Sequence, residues 1–106
     1  MTDPVISLSE QRLIRRAPDR LIALDQSDWD YLAASLRLIA DEFGVEAAPS
    51  TPLHLLPARS LMRRLLDLRR SLKPQTQEQR AILGRLASAI LRLDTACAFY
   101  RALEEE

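Results

Sequence analysis

A chain of 106 residues is long enough for one domain with its own core, yet short enough for self-association to add usefully to that core. Leucine, alanine and arginine dominate while glycine occurs only twice and aromatics make up 5%, which argues against a sheet-rich class and for an all-α one. Fifteen basic residues against fifteen acidic ones remove the whole-chain basic excess of a typical nucleic-acid binder, so that only a local patch could serve that purpose. Lys73 is the sole lysine, and the arginine bias is the mark of a GC-rich bacterial genome. Cys97 has no second cysteine to pair with, no leader pattern opens the chain, and no apolar run approaches the roughly 18 residues that span a bilayer. A reduced, cytoplasmic protein with no membrane partner is expected.

Residues 1–24 form an N-terminal element. Ser7 and Glu10 can cap a short helix that ends before Pro18, whereas residues 12–16 and 20–24 could instead be the arms of a hairpin around Ala17-Pro18-Asp19. A lone two-stranded hairpin is marginal in water and nothing else here offers a third strand, so the helix is favoured. Residues 25–43 make the next helix: Asp25 stands at its start, Leu24 can staple onto Trp29, and Gly44 supplies the left-handed terminus with Val45 as its apolar partner. Trp29, Leu32, Ala33, Leu36, Ile39, Ala40 and Phe43 are its core stripe. Residues 44–57, with Pro49, Pro52 and Pro57, form a connector with room for one helical turn after Thr51-Pro52. A basic helix over 58–73 stops at Pro74, and Thr76 with Gln79 opens a long helix over 76–103. The expected fold is a small all-α bundle, one domain over 1–106, with three main helices and the short N-terminal element.

The long helix carries only Arg85, Arg92, Asp94 and Arg101 as charges between Ala81 and Leu103. Two overlapping apolar rows, through Leu83, Leu86, Ile90, Leu93 and Cys97 and through Ile82, Leu86, Ala89, Leu93 and Ala96, give it a broad dry face. Opposite lies a third row, Gly84, Ser88, Leu91, Thr95 and Ala98, of small or apolar residues. Helices 25–43 and 58–73 are too short to cover a helix of this length, leaving Phe99, Tyr100 and Leu103 in need of shelter. The expected homodimer interface is therefore Gly84, Ser88, Leu91, Thr95, Phe99 and Leu103.

Helix 58–73 places Leu61, Leu65, Leu68 and Leu72 inward and a ridge of Arg59, Arg63, Arg70 and Lys73 outward. Leu66 projects among those arginines, a pattern that suits a protein partner better than a phosphate backbone. Tyr31 and Leu38 add a second exposed patch on the far side of helix 25–43. The expected partner-binding set is Arg59, Arg63, Leu66, Arg70, Tyr31 and Leu38, in an adaptor, assembly factor, chaperone or regulator. The alternative is a dimeric nucleic-acid-binding regulator that uses ridge 59–73. Recognition by a helix-turn-helix built on 58–73 and the long helix fits poorly, because the second helix is too long and too apolar to lie in a groove.

Little here points to catalysis. His54 stands alone in the connector, Cys97 falls in the apolar seam, Asp41 and Glu42 lack a second carboxylate pair, and Gly44 and Gly84 form no phosphate loop. No enzyme activity, cofactor, metal or small-molecule substrate is expected.

Overall fold

Ser7 and Glu10 open the first helix by satisfying each other's backbone. Ser7 Oγ accepts from the Glu10 N–H at 3.2 Å and Glu10 Oε1 accepts from the Ser7 N–H at 3.3 Å, a reciprocal cap at a helix start. The computed structural model describes residues 7–104, and in it α1 spans Leu8–Arg16. It ends where Ala17 turns extended and donates its N–H back to Leu13 and Ile14, so the helix forms and the hairpin does not. No strand occurs among the described residues.

The second helix, α2, spans Gln26–Phe43. Asp25 holds the capping position with its backbone carbonyl, which accepts from Asp28 and Trp29, while its carboxylate makes no capping bond. Gly44 closes the helix at φ 65, a conformation that costs glycine nothing. The connector holds the anticipated turn as a 3-10 segment over Leu53–Leu55. The third helix, α3, spans Ala58–Ser71 and stops two residues earlier than Pro74 alone would require. Its first turn begins at Pro57, which has no side-chain cap to offer. The free N–H groups of Ala58 and Arg59 instead reach the carbonyls of Arg20 and Pro18, at 2.9 and 3.0 Å. The long helix, α4, spans Gln77–Glu104. Thr76 Oγ1 accepts from the Gln79 N–H at 3.0 Å, and Gln79 Oε1 returns to the N–H of Gln75, one residue before the reciprocal partner the sequence suggests.

Both α2 and α3 pack on α4, and α1 packs on α3 and α4. Leu32, Leu36 and Ile39 of α2, Leu61, Met62, Leu65 and Leu66 of α3, and Leu86, Ala89, Ile90, Leu93 and Cys97 of α4 form one core, completed by Ile14 and Ala17. The two dry rows of α4 both face inward. The N-terminal element supplies part of the missing cover at the far end of α4, where the Arg20 guanidinium donates to the Tyr100 hydroxyl at 3.3 Å.

Leu66 corrects the sequence-based expectation. It is fully buried, not exposed, on the side of α3 to which Arg59 and Arg70 tie α1. Leu66→Ala should therefore lower stability by about 2–5 kcal/mol, as core leucine truncations do. A urea melt with an unchanged m-value and a clearly lower midpoint is the expected result.

Candidate interaction surfaces

On α4 the small-residue row lies on the outside. Gly84, Ser88, Thr95 and Ala98 are exposed, as are Leu91 at 62%, Phe99 at 68% and Leu103 at 57%. A Cβ built on Gly84 would meet nothing within 4 Å. The charges that border this row are turned toward the chain itself. Arg92 reaches the Asp28 carboxylate at 2.9 Å, Asp94 takes a two-pronged contact from Arg16, and Arg101 donates to the Arg15 carbonyl at 2.7 Å. Beside the row, Leu91, Thr95 and Phe99 form one wall of a groove of about 610 Å³ whose other wall is Ala23, Leu24, Asp25 and Asp28.

The arginine ridge of α3 is largely spent inside the molecule. Arg59 Nε donates to the carbonyls of Ala17 at 2.9 Å and Ile14 at 3.2 Å, satisfying the C-terminal end of α1. Arg69 and Arg70 approach the Glu10 carboxylate at 3.2 and 3.6 Å, and Arg70 also contacts Asp67 at 3.2 Å. Arg64 leans on the Ala47 carbonyl at 3.5 Å. Arg63 remains exposed and lines a groove with Gln11, Ile14, Arg15 and Asp67. Of the six residues assigned to partner binding, then, Arg59 and Arg70 hold α1 and Leu66 is buried, while Arg63 keeps an open face.

Tyr31 is also engaged. The guanidinium carbons of Arg85 and Arg92 lie 4.5 and 4.1 Å from its ring centroid, within cation–π range. Its carbonyl accepts from Ser35 Oγ at 2.7 Å, and that hydroxyl accepts in turn from Arg85 Nε at 3.3 Å. Tyr31 and Ser35 thus tie α2 to α4, and Tyr31 does not share a free patch with Leu38, which is 40% exposed. Ser35, fully buried, was missed because a serine in an apolar helix face reads as a tolerated small residue. The signal available was the seven-residue interval between Arg85 and Arg92, two turns apart on one face of α4.

Cys97 is buried in the core. Burial, and next the nearby Asp94 charge, push its thiol up to about 11, so it stays protonated near neutral pH. His54 is exposed in the 3-10 turn. Among the described residues no cluster of His, Cys, Asp and Glu is placed to hold a metal ion, and no helix is long and apolar enough to cross a membrane. No protein-family model, curated protein or solved structure matches the chain.

The contact between α1 and α3 perturbs the titration of Glu10. Burial alone would raise its pKa, but the Arg69 hydrogen bond, the Ser7 N–H and the charges of Arg70 and Arg69 together bring it below the ordinary 4.5. A carboxyl lowered in the folded state contributes stability above its unfolded pKa and loses it as pH falls through the folded value. Stability should thus decline as pH drops below about 4.5, and Glu10→Gln should flatten that part of the curve. Urea midpoints measured across that pH range for both proteins give the comparison.

Proposed function

We propose that this protein is a non-catalytic interaction module that works as a homodimer joined along the outer face of α4, in the role of an adaptor, assembly factor, chaperone or regulator in a bacterial or phage cytoplasm. The observation that carries this is the uncharged row from Ala81 through Gly84, Ser88, Leu91, Thr95 and Ala98 to Ala102, with Phe99 and Leu103 beside it, all exposed on the central helix. That row runs about 32 Å at the helical rise. Small residues along it let a second helix approach closely, and Leu91 and Phe99 supply the apolar area that such an approach needs. A neutral face whose bordering arginines are already satisfied favours a partner of the same kind, and a second copy is such a partner.

The basic ridge supports nucleic-acid binding less well. Phosphate contacts require free guanidinium groups, and Arg59 and Arg70 are engaged with α1. Of the four ridge residues only Arg63 and Lys73 are exposed.

Light scattering at micromolar concentration should give twice the 12.0 kDa chain mass. Gly84→Leu and Ser88→Arg should each give a monomer of unchanged helicity, because side chains at these positions have open space in the single chain. A monomeric parent protein, or dimers that persist in both variants, would refute the α4 interface.

A further inference from the structure

We propose that the side of α3 now covered by α1 is a docking site for an acidic amphipathic helix of another protein, and that α1 is the occupant the chain supplies to itself. On this side of α3 the buried Leu66 shares a helical row with Arg59, Arg63 and Arg70, with Arg69 beside it; Arg59, Arg69 and Arg70 reach α1, and Arg63 lines a groove with Ile14. Amphipathic helices dock into such grooves through side chains spaced three and four apart. In α1 those are Glu10, Leu13 and Ile14, a carboxylate set beside two apolar residues.

The occupant is short and imperfectly matched. At nine residues it falls below the roughly 12–15 at which isolated helices become even marginally stable, so it persists by its contacts. Only Glu10 and Ile14 of its side chains are buried. One carboxylate serves both Arg69 and Arg70, and Nε and Nη2 of Arg70 are buried without a hydrogen-bond partner. Across the groove Arg15 of α1 and Arg63 of α3 line the same space of about 390 Å³, so a cation stands where a carboxylate would suit. Asp67 also lines that groove, and its charge is directed to Arg70. A helix with the Glu10–Ile14 pattern and an acidic residue in place of Arg15 would complement the face better than α1 does. Charge thus selects a partner with more carboxylates than the chain's own helix. A phosphate backbone offers charge without an apolar side chain to take the buried place of Ile14.

The site is separate from the outer face of α4, so its test does not depend on dimerisation and can be run in a Ser88→Arg background. A fluorescent peptide of residues 7–17 carrying Arg15→Glu is titrated into the full-length chain and into full-length chains carrying Ile14→Ala or Glu10→Gln, which weaken the hold of α1. Binding should be about tenfold tighter to either weakened chain, because the competent state is more populated, and should weaken as salt rises. The same peptide with Glu10→Lys should not bind. Should Ile14→Ala fail to fold by circular dichroism, Glu10→Gln decides the matter. Hydrogen exchange on the unaltered protein should show α1 amides opening more readily than those of α4. Equal affinity for intact and weakened chains, no binding to a folded weakened chain, or α1 protection equal to that of α4 would overturn the site. Tighter binding of a duplex oligonucleotide than of the peptide to the weakened chains would overturn the choice of a protein helix as occupant.

Discussion

A central helix longer than anything that packs on it sets the terms of this fold. At 28 residues α4 runs about 42 Å, against about 27 Å for α2 and about 21 Å for α3. Two partners can cover the inward side near its middle, but not its ends or its back. The chain answers with α1 and the extended stretch after it, which passes Arg20 over Tyr100 and holds the first N–H groups of α3 with its carbonyls. The groove beside Phe99 and the bare row through Gly84 are what this economy of cover leaves over.

Arginine does the joining. Side chains that composition alone would assign to solvent instead cross between elements: Arg59 and Arg101 to carbonyls near the end of α1, Arg16 to Asp94, Arg69 to Glu10, Arg85 and Arg92 to the Tyr31 ring. Several of these contacts use the fork or the flat face of the guanidinium, which a lysine ammonium lacks. Individually the exposed pairs contribute little, on the order of 0–1 kcal/mol. Their larger effect is on geometry, since each fixes the position of one helix relative to another.

Helix existence and most boundaries were legible in the sequence because they rest on local chemistry. The Ser7–Glu10 cap, the left-handed Gly44 and the Thr76 start need only residues a few positions apart; the first two appear as the pattern implies, and the third keeps its Thr76 cap while the return bond from Gln79 goes to Gln75. The inward rows of α4 were equally plain, since their period is set by the helix itself. What periodicity cannot supply is which outward face meets another element. Leu66 falls among arginines and so reads as exposed, yet the helix tied to that side of α3 lies far upstream, a separation of 59 between Arg69 and Glu10. Tyr31 was misplaced for the same reason, its ring partners lying on α4. The candidate surface on α4 was easier to find, because a row of small residues opposite a broad apolar face is visible without knowing any neighbour.

The buried thiol of Cys97 gives the molecule a built-in clock. It is the only cysteine, it has no accessible surface, and its pKa near 11 leaves almost no thiolate at neutral pH. An alkylating reagent can therefore reach it only when the packing around this part of α4 opens, and because Arg16 of α1 stands near the thiol and pairs with Asp94, departures of α1 belong to the events that the rate of modification counts.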